Sequence, residues 1–247
     1  MHRFYVSAAA ISEGRALLSI EQQKQVRRVL RMNPGDAIAI FDGSGLEFSA
    51  ELEADDAGNL VARIVDAYRP ETEPSTRLTI IQGIPKGEKL ELILQKCTEL
   101  GASEFLIVST ERSVPKIPPD KADSRLERWR AVVREAAEQS GRVRLPPVDG
   151  VLPFREALDR VRGHSEILIA WEQERGAELF SMLRRLRDVT DITLVIGPEG
   201  GFAPSEVDAA IEVGAIPISL GARILRAETA AIAGTAMLVY GLERPPA

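Results

Sequence analysis

The sequence predicts an α/β protein with a small β-barrel domain: a barrel over residues 1–72 and a larger α/β domain over 75–247. Three observations carry this. Up to residue 72 the chain falls into short runs of strand-forming residues, punctuated by Gly, Pro, Asn and Asp turns. From Leu78 onward, apolar strands alternate with helical patterns, the signature of a mainly parallel sheet covered by helices on both faces. Between the two parts, Pro70, Pro74 and the polar residues around them read as a linker.

In the first part the strands are Phe4-Tyr5-Val6, Ala37 to Phe41, Glu47 to Leu52 and Leu60 to Val65. Asn33-Pro34-Gly35-Asp36 and Asp42-Gly43-Ser44-Gly45 supply turns, and Ile20 to Leu30 is a short helix. Short strands at this spacing make a small barrel. In the second part Leu78 to Ile81 is a buried strand. Leu90, Ile93, Leu94, Cys97 and Leu100 then fall at helical spacing, so Gly87 to Leu100 is an amphipathic helix ended by Gly101. Phe105 to Val108 is the next strand, and a proline-rich loop spans 110–119. Arg125 to Gln139 is a helix with Leu126, Trp129, Val132, Val133 and Ala136 inward. Ile167 to Trp171 is a strand, and Leu179 to Leu186 a short helix whose late arginines complement its dipole. Strands over Ile192 to Ile196 and Ala215 to Leu220 flank a helix that begins at Pro204. The last helix, Glu228 to Leu242, carries Ala230, Ala231, Ala233, Gly234 and Ala236, small residues suited to close helix contact.

Composition excludes several function classes. At 45% apolar residues, 247 residues can build a sizeable core. No apolar run reaches membrane-span length, and the N-terminus lacks a signal-peptide pattern. The single cysteine, Cys97, rules out an internal disulfide and fits a reducing cytoplasm. His2 and His164 are the only histidines and stand far apart, which leaves little material for a zinc site or a Ser-His triad, so no metal is expected. The net charge of −6 is unevenly spread. Residues 1–35 hold Arg3, Arg15, Lys24, Arg27, Arg28 and Arg31 against Glu13 and Glu21. Residues 36–73 hold ten acidic groups against Arg63 and Arg69, and residues 112–144 hold nine basic groups against five acidic ones. Such segregation gives a basic stripe on an acidic body.

Two loops stand out near the end. Leu194-Val195-Ile196-Gly197-Pro198-Glu199-Gly200-Gly201-Phe202 and Ser219-Leu220-Gly221-Ala222-Arg223-Ile224-Leu225-Arg226-Ala227-Glu228-Thr229-Ala230 each run from an apolar strand through glycine into a helix. That arrangement lets backbone N–H groups approach a small ligand, and two in succession imply one pocket built from both. Neither has the GxGxxG spacing of an ordinary dinucleotide site.

These two loops, with His2-Arg3-Phe4-Tyr5-Val6, Pro34-Gly35-Asp36, Lys86-Gly87-Glu88-Lys89, Thr98-Glu99-Leu100-Gly101 and Glu138-Gln139-Ser140-Gly141-Arg142, carry a full-length resemblance. The chain resembles the methyltransferases that modify N3 of a uridine in 16S ribosomal RNA, members of the SPOUT superfamily. The resemblance implies an N-terminal PUA-like RNA-binding barrel and a C-terminal α/β domain tied in a trefoil knot. It also implies S-adenosyl-L-methionine as donor, the small ribosomal subunit as partner, a homodimer and a cytoplasmic location. The donor site it implies comprises Trp171, Ile196, Gly197, Pro198, Gly200, Gly201, Leu220, Gly221, Ile224, Leu225 and Thr229.

Methylation at uracil N3 requires loss of the imide proton, which leaves negative charge on the ring. Arg226, then Arg223, would stabilise that charge, and Glu199 or Glu228 would accept the proton. Glu228, at a helix start, equally fits a capping role. RNA docking falls to Arg3, Arg28 and Arg31 on the barrel and to Lys86, Lys89, Arg112 and Arg142 beyond it. The alternatives are a SPOUT enzyme acting on another RNA base or ribose, and a non-catalytic RNA-binding assembly factor.

Overall fold

The computed structural model describes residues 1–56, 58–113 and 117–243. They form two compact units, one of Met1–Glu73 with Ala137–Leu145, the other of Pro74–Ala136 with Pro146–Ala247. A boundary at residues 72–75 therefore leaves out a short stretch that returns to the first unit.

The first unit contains β1 (His2–Tyr5), β2 (Ile11–Ser12), β3 (Arg15–Leu17), α1 (Ile20–Lys24), β4 (Ala37–Phe41), β5 (Glu47–Ala54) and β6 (Leu60–Tyr68). Its sheet runs β1-β4-β5-β6-β3-β2, with β1 and β4 parallel and the other pairs antiparallel. The sheet is curled and open between β1 and β2, a half-barrel around Phe4, Ile38, Ile40, Leu52 and Leu60. Ser19 and Gln22 cap α1 reciprocally. The helix then widens into a single π-turn over Gln25–Val29, which buries Val26 and leaves Val29 exposed.

Two charged groups expected on an RNA-facing surface are instead inside this unit. Arg3 pairs with the buried Glu47, donates to the carbonyls of Glu138 (3.3 Å) and Arg142 (3.1 Å), and lies 5.2 Å from the Phe41 ring centroid. Arg142 is 3% exposed, and its Nη2 lies 2.7 Å from Glu73 Oε2. Glu73 also accepts the N–H groups of Val143 and Arg144, both at 2.9 Å. Burial alone would push the Glu73 carboxyl up, but the Arg142 guanidinium and these N–H groups hold it below its ordinary value. A depressed carboxyl contributes stability above its ordinary pKa and loses it as pH falls through the folded value. Glu73→Gln should thus cost about 3 kcal/mol at neutral pH, because it removes the negative partner of a buried guanidinium. Urea unfolding should show that difference shrinking in acid, where the parent's carboxyl is protonated as well.

The second unit contains β7 (Arg77–Gly83), α2 (Lys89–Glu99), β8 (Glu104–Ser109), α3 (Pro119–Ser140, whose end passes into the first unit), β9 (Val148–Pro153) and α4 (Phe154–Val161). β10 (Glu166–Ala170), α5 (Leu179–Met182), β11 (Asp191–Ile196), α6 (Pro204–Glu212), β12 (Ile216–Ile218) and α7 (Ala227–Leu242) follow. The sheet order is β12-β10-β11-β7-β8-β9, all parallel. Its inner strands are near-continuous apolar runs, as burial of both faces requires. Ile81, Val195, Ile167 and Ile169 pack on one face with Phe154 and Leu158 of α4 and Val207 of α6. α2 and α7 cover the other face, where the Thr235 hydroxyl donates to Cys97 Sγ at 3.4 Å. Cys97 is fully buried, and burial pushes its thiol up to about 12, a core residue rather than a nucleophile.

The helix α3 begins six residues earlier than its arginine-rich pattern implies, and α5 is shorter than expected. The loop expected over 110–119 lies partly outside the described residues. The small residues of α7 serve packing inside the unit. A Cβ on Gly234 would stand 2.7 Å from Leu194 Cδ2, and one on Gly241 2.7 Å from Leu183 Cδ1.

Beyond β12 the chain is bracketed by one loop. Trp171 N–H donates to Ile218 O at 3.0 Å on one side of the strand. On the other, Ser219 N–H donates to Ala177 O at 2.8 Å, and Leu179 N–H donates to Ser219 O at 3.0 Å. Both sides belong to the single connection between β10 and α5, so residue 219 leaves the sheet between its two arms.

Candidate active site

The carboxyl ends of parallel strands are where open α/β sheets collect ligands. Here the ends of β12, β10 and β11, three neighbours in the sheet, surround a cavity of about 380 Å³. Its walls come from Ala170, Trp171, Glu172 and Arg175 at and after the end of β10, Ile196 and the Gly197–Phe202 loop at the end of β11, and Ser219–Ala227 with Ala230 after β12.

The first loop is shaped by close backbone approach. Gly201 takes a φ of +65° and donates to Pro198 O at 2.9 Å, closing a turn. A Cβ on Gly197 would stand 3.2 Å from the Phe202 ring, one on Gly200 3.0 Å from Arg112 Cβ, and one on Gly201 2.7 Å from Glu172 Oε1. Gly83 at the end of β7 leaves room for the loop from beneath: its Cβ would stand 2.7 Å from Pro198 Cδ and 2.9 Å from Pro198 N. In the second loop, Ser219 Oγ accepts the Gly221 N–H at 3.2 Å, and Gly221 has a φ of +108°. Arg226 is the N-cap residue of α7, and its carbonyl accepts the Ala230 N–H at 2.8 Å.

Of the residues expected to hold a donor, Trp171, Ile196, Gly197, Pro198, Gly200, Gly201, Leu220, Gly221, Ile224 and Leu225 all line this cavity. Thr229 does not: it lies one turn into α7 and is exposed. Ile224 is 88% exposed, which puts it at the mouth rather than in the floor. Arg223 and Arg226 line the cavity, exposed and without an ion pair or side-chain hydrogen bond among the described residues. Arg175 joins them on the same terms, and sequence reasoning missed it because it sits in an unpatterned loop.

The two carboxylates expected to accept a proton are placed differently. Glu199 lines the cavity, but its Oε1 lies 2.7 Å from Lys89 Nζ, and its carboxylate accepts the Lys86 N–H at 3.1 and 3.2 Å. Burial would push its carboxyl up, yet Lys89 and the N–H groups of Glu199 and Lys86 hold it below its ordinary value, which weakens it as a base. Glu228 stands outside the lining and meets the same ammonium at 3.5 Å. Glu172 is the carboxylate that lines the cavity with no ion pair among the described residues, and it too was missed.

Of the basic residues expected at RNA, Arg28, Arg31 and Lys86 are exposed. Lys89 is bound to the two carboxylates, while Arg112 is exposed and donates to Gly200 O at 3.0 Å, supporting the first loop. Arg3 and Arg142 are committed to the buried pairs described above. Among the described residues no three His, Cys, Asp or Glu side chains converge as metal ligands would.

The RNA methyltransferase domain family matches residues 71–239, and the RNA methyltransferase PUA domain family matches residues 26–65. The ribosomal RNA small subunit methyltransferase E of Synechocystis is 35% identical over 98% of this chain and 78% of its own length. That of Bacillus subtilis is 34% identical over 90% and 89%. The crystal structure of the Neisseria gonorrhoeae ribosomal RNA small subunit methyltransferase E bound to S-adenosyl methionine shares 33% identity, covers 96% of each chain and superposes with a TM-score of 0.86. A Legionella pneumophila methyltransferase in complex with the same cofactor gives 29% identity, 96% coverage of each chain and a TM-score of 0.80. The chain belongs to the ribosomal RNA small subunit methyltransferase E family.

Proposed function

We propose that this protein transfers a methyl group from S-adenosyl-L-methionine to N3 of a uridine in 16S ribosomal RNA. The observation that carries the reading is the cavity itself: glycine backbone and apolar side chains on one part of its wall, and on another three guanidiniums unpaired among the described residues. Its volume falls among small-molecule sites, about 300–1,000 Å³. The glycine cradle fits a ligand held by backbone groups, since a Cβ at Gly197, Gly200 or Gly201 would crowd the loop's own neighbours. When bound, S-adenosylmethionine supplies an electrophilic methyl group on a sulfonium.

Gly197, Pro198, Gly200, Gly201 and Gly221 present backbone, and Trp171, Ile196, Leu220 and Leu225 present apolar surface, to that donor. The target base has to leave its stack, because N3 is otherwise engaged in pairing. Arg226 stabilises the charge that develops on the uracil oxygens, with Arg223 and Arg175 available to the backbone phosphates of the same nucleotide. Glu172, rather than Glu199 or Glu228, accepts the imide proton. Titration with S-adenosylmethionine tests the donor site: one saturable site is expected, whereas no binding would leave only an RNA-binding factor.

Docking of the RNA rests on Arg28 and Arg31 in the first unit and on Lys86 in the second. Arg28→Ala with Arg31→Ala should weaken RNA binding and lower the slope of log K against log salt by about 2, one phosphate contact each. An unchanged slope would remove these arginines from the interface. We also read the protein as a cytoplasmic homodimer. The support for the dimer is the outer face of α7, where Met237 is 45% and Tyr240 85% exposed, and the cytoplasmic reading follows from ribosomal RNA as substrate. Sedimentation velocity reads the dimer directly: a single species of monomer mass would sink it.

A further inference from the structure

Lys89 is the first residue of α2, and its ammonium faces two carboxylates, one on the cavity wall and one beside it in the first turn of α7. Glu199 of the first loop lies 2.7 Å away and Glu228, in the first turn of α7, 3.5 Å away. The backbone N–H of Lys86, just ahead of α2, also donates to Glu199 at 3.1 Å. Oε2 of Glu228 is buried and has no hydrogen-bond partner, so among the described residues the Lys89 ammonium is its counter-charge. A buried carboxylate oxygen tolerates this only while the cation stays, which makes the start of α7 follow Lys89.

From this geometry we infer that Lys89 is a positioning residue for methyl transfer, tying the Gly197–Phe202 loop to the first turn of α7. The inference rests on the reading of the cavity given above. Arg226, the N-cap of α7, and the glycine cradle are thereby held at a fixed separation, so that the group stabilising the uracil anion meets the donor in register. An ammonium shared by two carboxylates carries no surplus positive charge for a phosphate, so Lys89 is not an RNA contact. Nor is it needed to join α2 to α7: Cys97 and Thr235 already do so in the core.

The test is Lys89→Met, with Lys89→Arg as the charge-keeping control, measured in the full-length protein. Lys89→Met is expected to bind S-adenosylmethionine about tenfold more weakly and to lose about 10²-fold in kcat, the cost of a misplaced group. Lys89→Arg should recover most of both, since a guanidinium reaches the same two carboxylates. Amide exchange should rise over residues 197–202 and 227–230 in Lys89→Met and stay unchanged in the β8–β9 region. Should Lys89→Met not fold, Glu228→Gln removes only one charge from the same hub and should lower kcat more than donor affinity. Wild-type kcat and affinity in the folded methionine variant, or loss without recovery by arginine, overturns the inference. If the parent itself binds no donor, the functional reading fails instead, and the clamp then stands or falls on the exchange pattern alone.

Discussion

Replacing Arg226 by alanine is expected to lower the rate of methyl transfer by about 10²–10³, the usual effect of removing one preorganised charge stabiliser. Donor affinity should change little. Arg226 is held at its backbone by the first turn of α7 and makes no ion pair among the described residues, so its charge is available where negative charge develops. Arg223 stands in the loop between Gly221 and Leu225, without a helical base, and its removal should cost less. Glu172→Gln probes the proton step separately: it should lower the rate while donor affinity stays unchanged. A rate within a factor of about three of the parent for Arg226→Ala, with donor bound, would remove Arg226 from the chemistry.

The second large effect is expected at a residue that touches no ligand. In Gly83→Ala the new methyl would stand 2.9 Å from the backbone nitrogen of Pro198, so the first glycine loop has to move as a body. Overpacking of this kind costs about 1–3 kcal/mol in stability. The larger consequence is functional: the loop shift should weaken S-adenosylmethionine binding by about tenfold or more. Gly150→Ala in β9 is the control, since its nearest neighbour would be Leu126 Cδ2 at 3.9 Å. Calorimetric titration of both variants should show affinity lost in the first and kept in the second. Equal affinities would mean that the loop is not the donor cradle.

Much of this arrangement is legible in the chain. Gly197 to Phe202 and Gly221 to Arg226 announce themselves because a buried strand stopping at glycine and restarting as a helix has few other uses. The α4 helix was missed although Phe154, Ala157, Leu158 and Val161 fall at i, i+3, i+4 and i+7. The Pro and Gly residues of β9 just before it mask the pattern, and β2 and β3 are too short to show alternation. What the sequence hides is pairing at a distance. Lys89 and Glu199 are 110 residues apart, and nothing local distinguishes Lys89 from a phosphate contact or Glu199 from a base. Arg142 looks like the end of a basic stretch, yet it is the buried partner of Glu73, 69 residues earlier. Pairing at a distance decides the role of Lys89 and Glu199, and burial with pairing that of Arg142 and Glu73; both are properties of the tertiary structure.

The central claim is tested most directly by incubating the protein with methyl-labelled S-adenosylmethionine and either purified small ribosomal subunits or naked 16S RNA, then digesting the RNA to nucleosides. The account predicts label in N3-methyluridine, at a single site, and its loss in Arg226→Ala. Label in any other base or in a ribose would contradict the assigned reaction. No incorporation into either RNA, with donor demonstrably bound, would contradict the assigned substrate.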